Sequence, residues 1–443
     1  MKRKLPLKEV SALGFFMFAL FLGAGNLIFP PLLGQQAGDT IVAAVVGFLL
    51  TGVGLPLLAV IAIAQAGGHF DTLFKRVHPI FALVFPFVVY LSIGPFFGIP
   101  RTGTVAYEIG VVPFLSGEDR IGLLLSTLVF FSVTFWMALH PAKLVDRVGK
   151  VLTPILFLFI LMMAIRSFAA PIGDIGEATE KYESGAFIDG FLEGFLTMDA
   201  IGALAFGIVI IYRIQEKGIT EPTDIRKYTI KAGIIAGIGL SFVYIALAYM
   251  GATSVSGVGL QENGGDILTA VTSQLFGGLG SAILAVVVTL ACLTTSIGLV
   301  SACGEFLALR LKKVPYPWII AVLCLFSFLM ANLGLDQLIS VSLPVLIAIY
   351  PITIVLIALA LLHAVIPVAS SVYIGAMIGA GLVSVVDGLM MAGIEIDAVS
   401  KLYAHLPMFD LGVGWLLPSV AGGLLGLIFR LAKRGRRRKT DIL

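Results

Sequence analysis

Charged residues are scarce in this chain of 443 residues. They make up 12% of it, whereas hydrophobic residues make up 59% and the mean hydropathy is +1.05. Because soluble domains carry about 25% charged residues, the chain has too little charge to cover a water-facing surface. The composition excludes an ordinary cytosolic enzyme and a disordered chain, and it predicts that the protein is solvated by lipid. The net charge of +3 gives no general attraction to nucleic acid, which we do not expect as a partner.

Cysteine and histidine are also rare, with three and five residues. Cys292, Cys303 and Cys324 lie in apolar runs without a CxxC spacing, which is typical of inert buried thiols. The histidines lie at the ends of apolar runs and form no metal-ligand pattern. The sequence contains no HExxH, Walker or GxSxG motif. We therefore expect neither enzymatic activity nor an organic cofactor.

Long apolar runs dominate the rest of the chain. A bilayer-spanning helix needs about 20 apolar residues, and about 12 stretches qualify. They are Ala12–Leu33, Ile41–Ala64, Ile80–Ile99, Ile121–Leu139, Val151–Ala169, Phe187–Tyr212, Gly233–Gly251, Leu279–Leu309, Trp318–Leu333, Leu338–Leu362, Val368–Met391 and Leu411–Leu431. These runs are too long and too uniformly apolar for barrel strands, and the first has no cleavage site of a signal peptide. The predicted fold class is an all-α polytopic membrane protein with about 12 transmembrane helices.

Basic residues are distributed unevenly between the loops. If the number of spans is even and the N-terminus is cytoplasmic, one side of the membrane collects all but five of the 29 basic residues. The five exceptions are Arg101, Arg120, Arg166, Lys181 and Lys401. The positive-inside rule therefore predicts that both termini are cytoplasmic, with the basic tail RLAKRGRRRK in contact with anionic lipid.

The first span contains residues that weaken a helix at mid-depth. In FFMFALFLGAGNLIFPPLLG, Gly23, Gly25 and Asn26 are followed by Pro30 and Pro31. Glycine destabilises a helix by about 1 kcal/mol and proline by about 3 kcal/mol, and freed backbone groups are tolerated in lipid only where they line a cavity. The pattern predicts an unwound ligand site whose N–H groups face an anion and whose carbonyls face a cation. A close-packed glycine face with a proline kink would explain the same residues.

The sixth span has the same character. Its sequence FLEGFLTMDAIGALAFG places Thr197, Asp199 and Gly202 at mid-depth. An ionisable side chain at this depth is costly and marks a functional site, unless it only caps a broken helix. Interrupted helices at the first position of two successive five-span units predict an inverted-repeat transporter.

The eighth span carries hydroxyl groups on one face. Ala291, Thr294 and Thr295 have the spacing i, i+3 and i+4. The hydroxyls either bond back to carbonyls of their own helix or supply hard oxygen ligands to a small cation. Glu305 in the same span and Arg101 at the end of the third span are gate candidates; a terminal charge and an interfacial arginine are the alternatives.

Four segments together resemble the bacterial branched-chain amino acid:cation symporters, the LIVCS family of BrnQ-type carriers, over essentially the whole chain. They are FLGAGNLIFPP from Phe21, IGPFFGIPRTGTVAYE from Ile93, LHPAKLVDRVGKVLTP from Leu139 and EGFLTMDAIGALAFG from Glu193. The resemblance implies a LeuT-type fold with two inverted five-helix repeats, discontinuous helices 1 and 6, and two additional helices. It divides the single transmembrane domain, residues 1–443, into repeats at 8–170 and 187–362, the additional helices at 363–432 and a basic tail at 433–443.

The resemblance also implies Na⁺- or H⁺-coupled uptake of leucine, isoleucine and valine across the bacterial inner membrane by alternating access. In the wider fold superfamily, a Gly-x-Gly-Asn run in the first helix binds the substrate carboxylate. The matching residues here are Gly23, Ala24, Gly25 and Asn26. The inner sodium site of that fold combines carbonyls of the first helix with an Ala-x-x-Thr-Ser pattern in the eighth. The matching residues are Ala19, Leu22, Ala291, Thr294 and Thr295, with threonine in place of serine.

The sixth span is expected to complete the substrate site. Thr197 matches a polar residue near the substrate, whereas Asp199 departs from the small or neutral residue usual in the fold and could bind the substrate ammonium or carry a coupling proton. The other expected contacts of the substrate are Leu196, Met198, Ile201, Gly202 and Phe206. Since one methylene contributes about 0.8 kcal/mol, leucine, isoleucine and valine should share one site. A sodium-coupled carrier for another small apolar solute and a channel are the alternatives; polar residues concentrated at mid-depth disfavour the channel.

Overall fold

The computed structural model of the protein describes residues 4–67, 70–115, 120–139, 141–394, 402–403 and 405–440, without the side chains of 70–71, 141–153 and 434–440. These residues form helices and their connections, with no strand among them. The all-helical fold class is therefore confirmed for the described part of the chain. The predicted basic tail lies outside the described side chains from residue 434 onward.

Nineteen helices are named here in chain order. They are α1 (Leu7–Phe21), α2 (Ala24–Ala37), α3 (Ile41–Leu49), α4 (Leu55–Gln65), α5 (Phe70–Lys75), α6 (Pro79–Leu91), α7 (Gly98–Gly110), α8 (Arg120–Ala138), α9 (Pro141–Ala169), α10 (Glu180–Glu183), α11 (Ala186–Glu193), α12 (Asp199–Glu216), α13 (Pro222–Ala252), α14 (Val255–Val258), α15 (Gly264–Arg310), α16 (Tyr316–Ala331), α17 (Leu335–His363), α18 (Ser370–Met391) and α19 (Leu416–Thr440). The intervening 3₁₀ and π turns are Gly38–Thr40, Leu50–Gly54, Ser92–Phe96, Val112–Phe114 and Gly194–Thr197.

The predicted spans all fall on these helices. By length and apolar composition, 8 helical stretches of the described chain could cross a membrane, or 9 if the bent pair α11 and α12 is one span. The chain is therefore a multi-pass membrane protein. The count of about 12 spans and the two inverted five-helix repeats stay predictions.

The third predicted span differs from the observed helices in its boundary. Helix α6 ends at Leu91, a π turn follows with non-helical backbone at Gly94, and α7 then continues to Gly110. The predicted end at Ile99 is wrong, because the chain becomes helical again at Gly98 and Arg101 lies within that helix. Arg101 is 3% exposed, inside a buried helix.

Glycines bring the broken first span into backbone contact with α13. A Cβ atom built on Gly34 would lie 1.8 Å from the carbonyl oxygen of Ala248, and one on Gly251 would lie 1.9 Å from that of Pro31. Only glycine allows so close an approach of two helices. This packing holds α2 against a long continuous helix and so positions the break at its N-terminus.

Candidate functional site

The first helix breaks between α1 and α2. Leu22 has non-helical backbone angles, Gly23 is extended, and the chain becomes helical again at Ala24. The N–H group of Gly23 donates to the side-chain oxygen of Asn26 at 3.0 Å and to the carbonyl of Phe21 at 2.9 Å. Asn26 thus caps α2, because its side chain satisfies a donor that the break has freed. The two prolines, Pro30 and Pro31, lie inside α2 and do not form the break.

The second break separates α11 from α12. A 3₁₀ turn over Gly194–Thr197 leads into Met198, and the axes on either side differ by 45°. Met198 has φ 63°, in the left-handed region. A residue with a side chain pays about 1–2 kcal/mol for this conformation, and such strain is concentrated at functional sites. Helix α12 begins at Asp199, so a carboxylate lies at a helix N-terminus, where the helix dipole favours negative charge.

Hydrogen bonds to Asp199 join the two breaks. Asn26 Nδ2 donates to Asp199 Oδ2 at 2.5 Å, and the hydroxyl of Tyr244 donates to the same oxygen at 3.1 Å. Asn26 Nδ2 also lies close to the hydroxyl of Tyr244. All three side chains are buried. Tyr244 is a site residue that the sequence patterns did not indicate, since its only signal is a polar ring in the middle of an apolar span.

Arg101 approaches the same region from α7. Its Nη1 donates to the carbonyl oxygen of Leu196 at 2.5 Å, and the guanidinium carbon lies 5.0 Å from the ring centre of Phe29. A Cβ atom on Gly25 would lie 3.1 Å from the same Nη1. The guanidinium is therefore held between the two broken helices. Its Nε and Nη2 atoms are buried without a hydrogen-bond partner among the described residues.

A small cavity lies between these groups, at the two helix breaks. Its walls contain nine of the residues predicted to contact the substrate, eight of them at the two breaks and the ninth Phe206. The eight are Gly23, Ala24, Gly25, Asn26, Thr197, Met198, Asp199 and Gly202. Phe206, Thr295 and Arg101 line it as well. The lining residues that the sequence analysis did not single out are Leu20, Phe21, Ile93, Gly98, Thr102 and Leu299.

Two predicted substrate contacts do not line the cavity. Leu196 is buried, and it contributes its backbone carbonyl to Arg101. Ile201 is fully buried in the apolar core on α12. Ile201 lies off the face of α12 that turns toward the cavity, which Asp199 and Gly202 occupy. Leu196 precedes α12, in the 3₁₀ turn.

The residues predicted to bind a cation are only partly brought together. A Cβ atom on Gly23 would lie 3.6 Å from the methyl carbon of Thr295 and 4.0 Å from its hydroxyl oxygen, so Thr295 faces the first break. The hydroxyls of Thr294 and Thr295 both donate to the carbonyl of Ala291, at 2.8 and 3.0 Å. This is the back-bonded arrangement, and it leaves the lone pairs of each hydroxyl oxygen available to a cation.

The other predicted cation ligands and the second gate candidate lie outside the cavity wall. Ala19, Leu22, Ala291 and Thr294 are not among its lining residues. Ala19 and Leu22 are at the end of α1, where the last carbonyls of a helix lack partners within the helix. Glu305 is exposed on α15 and does not line the cavity. Within the described part of the chain, no three His, Cys, Asp or Glu residues are grouped so that they could hold a metal ion.

Comparisons with known proteins agree on one family. A family model described as "Branched-chain amino acid transport protein" matches residues 6–433. The branched-chain amino acid permease BraB of Bacillus subtilis is 47% identical over 433 residues, 97% of each chain. The branched-chain amino acid transport system 2 carrier protein of Pseudomonas aeruginosa is 49% identical over 410 residues, 93% of each chain.

Among solved structures, the inward-facing conformation of Mhp1 matches with a TM-score of 0.65 and 13% identity, covering 96% of this chain and 91% of that one. At that identity the likeness shows the fold alone. The chain therefore shares the all-helical fold of this solved structure, whereas the two inverted repeats that the resemblance implies stay a prediction.

Proposed function

The chain belongs to the family of branched-chain amino acid transport proteins, and on that premise we propose that it carries leucine, isoleucine and valine into the cell by cation-coupled symport. The members of this family are transport proteins and not enzymes. The transported solute is a small molecule, an amino acid. The observation that carries the proposal is the cavity between two broken helices, which is lined by both a carboxylate and a guanidinium.

Asp199 is the proposed partner of the substrate ammonium. Its carboxylate lines the cavity and already accepts hydrogen bonds from Asn26 and Tyr244. Both donors bind the same oxygen, Oδ2. A cationic ammonium is the natural complement of a carboxylate in a site of low dielectric constant.

The apolar part of the cavity is the proposed slot for the branched side chain. Met198 and Phe206 come from the sixth span, and Leu20 and Leu299 come from α1 and α15. Because each buried methylene contributes about 0.8 kcal/mol, such a slot favours branched aliphatic side chains over alanine and discriminates weakly among leucine, isoleucine and valine.

The proposed coupling ion is Na⁺, held by Thr294, Thr295 and the carbonyls of Ala19, Leu22 and Ala291, with H⁺ carried on Asp199 as the alternative. The hydroxyl of Thr295 faces the first break, next to the cavity. Cation binding there would favour the arrangement of α1 and α2 that receives the substrate. Alternating access by the two five-helix repeats around this site completes the proposal, with both termini on the cytoplasmic side of the inner membrane.

Leucine uptake into proteoliposomes under separate Na⁺ and H⁺ gradients tests this function. We expect saturable uptake that requires one of the gradients and that isoleucine and valine inhibit. Flux that does not saturate and ignores both gradients would indicate a channel. Saturable uptake of another apolar solute, with no inhibition by leucine, would support the alternative carrier.

Two substitutions with matched controls test the assigned residues. Asp199→Asn should reduce leucine affinity about 100-fold, because a charged hydrogen-bond partner is lost, whereas Asp387→Asn in α18 should not. Thr294→Ala should raise the Na⁺ concentration needed for half-maximal uptake. Thr353→Ala is its control, since Thr353 makes the same back-bond to its own helix at 3.1 Å but lies in α17. Uptake unaffected by Asp199→Asn and Thr294→Ala would contradict the assignment.

A further inference from the structure

The guanidinium of Arg101 has donors that the protein does not use. Nη1 is bound to the carbonyl of Leu196, but Nε and Nη2 are buried without a partner among the described residues. Leaving buried donors of a cation unsatisfied is expensive, so a partner is expected at this position. Asp199 lines the same cavity, yet the described residues include no ion pair between it and Arg101. No described residue supplies the missing partner, and a ligand in the cavity that Arg101 lines is the candidate for it.

The two unused atoms define the shape of that partner. Nε and Nη2 form one edge of the planar guanidinium, and their two N–H bonds run parallel. This edge matches the two oxygens of a carboxylate in a bidentate pair. Nη1, on the other side of the group, is anchored to Leu196, so the edge is fixed in direction before any ligand arrives.

The surroundings of Arg101 also favour an anion. Helix α2 begins at Ala24, and the free N–H groups of its first turn add positive potential to the same cavity wall. Gly25 lies between this helix end and the guanidinium, where a Cβ atom would be 3.1 Å from Nη1. The absence of a side chain at Gly25 leaves room for Nη1 beside the start of α2.

We propose that Arg101 binds the carboxylate of the transported amino acid through its Nε–Nη2 edge, a role that rests on the transport function proposed above. Arg101 and Asp199 then hold the two ends of one zwitterion, the carboxylate on α7 and the ammonium at the start of α12. The site accordingly selects α-amino acids and rejects amines of the same shape. Arg101 is a substrate-binding residue in this scheme, and a gating role is not needed to explain its burial.

Equilibrium binding of leucine and of 3-methylbutylamine to the purified protein tests the assignment. The amine has the branched chain and the ammonium of leucine but no carboxylate. For the unmodified protein we expect the amine to bind about 100-fold more weakly than leucine, because a bidentate charged pair is lost. Equal affinity for the two compounds would overturn the proposal without any substitution.

Substitutions then separate the two ends of the ligand. Arg101→Gln and Arg101→Lys should weaken leucine binding about 10- to 100-fold and leave the affinity for the amine within about threefold, because neither residue offers a bidentate edge. Asp199→Asn should weaken binding of both compounds. Arg166→Gln, an exposed arginine on α9, is the matched control and should change neither.

The outcomes distinguish this inference from the transport function. Leucine binding with an unchanged preference over the amine in both Arg101 variants would overturn the role of Arg101 and leave the transport function standing. An unmodified protein that binds no branched-chain amino acid would overturn both. Retained binding of the amine by the Arg101 variants shows that they are folded, because the amine uses the same cavity.

Discussion

The cavity region and the C-terminal helix pair, α18 with α19, are both rich in glycine and use it differently. In the pair, a Cβ atom on Gly375 would lie 2.1 Å from the carbonyl oxygen of Gly422, and one on Gly379 would lie 2.1 Å from that of Pro418. Around the cavity, a Cβ atom on Gly202 would meet nothing closer than 3.7 Å. Glycine brings two backbones together in the helix pair, whereas Gly202 leaves space in the cavity wall.

The difference between the two regions lies in the polar groups that accompany the glycines. The pair α18–α19 presents exposed leucines on its outer face, such as Leu382 and Leu425, as a surface in contact with lipid does. The cavity glycines lie beside Asp199 and Arg101. A glycine in a membrane helix therefore indicates a binding site only when an ionisable side chain lies at the same depth.

The largest effect is expected from a methyl group inserted into the pair. Gly375→Ala should lower the free energy of unfolding by about 1–3 kcal/mol, because the added carbon meets the backbone of Gly422 and the two helices must separate. Leucine affinity should stay within about twofold, since the pair does not line the cavity. Thermal unfolding in detergent and equilibrium binding measure the two quantities.

Gly381→Ala on the same helix is the matched control. Its new methyl group would meet only Ile352, at an ordinary 3.5 Å, and the better helix propensity of alanine should stabilise the protein by up to about 1 kcal/mol. If Gly375→Ala and Gly381→Ala destabilise the protein equally, then the close backbone contact at Gly375 is not the cause of its effect.

Next in size is the loss of a hydrogen bond in the cavity wall. Tyr244→Phe removes the hydroxyl that donates to Asp199 Oδ2 at 3.1 Å, and a hydrogen bond to a charged group contributes about 1.5–3 kcal/mol. We expect leucine affinity to fall about tenfold as the carboxylate loses its orientation. Tyr403→Phe removes an exposed hydroxyl bond outside the cavity and should leave binding unchanged. An affinity unaffected by Tyr244→Phe would mean that Asn26 alone orients Asp199.

Sequence patterns locate the helices and the two breaks well, and the physical reason is local. A long apolar run has few alternatives to a membrane helix, and Gly23 with Asn26 supplies both the weakness and the cap of α2. The break at Met198 lies next to Asp199, which the same pattern had singled out. These features depend on residues close together in the chain.

The parts of the site that the sequence analysis misplaced depend on distant contacts. Arg101 ends an apolar run, which fits either a gate or an interfacial arginine, and only the packing of α7 against the breaks shows it to be buried. Tyr244 joins Asp199 from a distant helix, and nothing in its local sequence indicates that contact. The left-handed backbone of Met198 has no sequence signal, since methionine does not favour it.

A smaller effect should come from adding a methyl group to the cavity wall itself. In Gly25→Ala the new carbon would lie 3.1 Å from Arg101 Nη1 and 3.1 Å from the ring of Phe29, so the guanidinium must shift by a few tenths of an ångström. We expect about fivefold weaker leucine binding with little change in stability, the reverse of the result for Gly375→Ala. Gly202→Ala, which has room for its methyl group, should bind leucine within about twofold of the unmodified protein.

The smallest effect is expected for an ion pair that lies away from the cavity. Lys217 Nζ and Glu9 Oε2 form an ion pair at 3.1 Å, and the two side chains are 32% and 30% exposed. Partly exposed pairs contribute about 0.2–1 kcal/mol, so a double-mutant cycle of Lys217→Met and Glu9→Gln should give a coupling energy in that range and decreasing with salt. A salt-independent coupling above about 2 kcal/mol would place this pair with the buried charges of the cavity. Charge would then stabilise the N-terminal turn of α1 as well as the bound ligand. The contrast between a polar cavity and an apolar remainder packed through glycine would no longer describe the whole molecule.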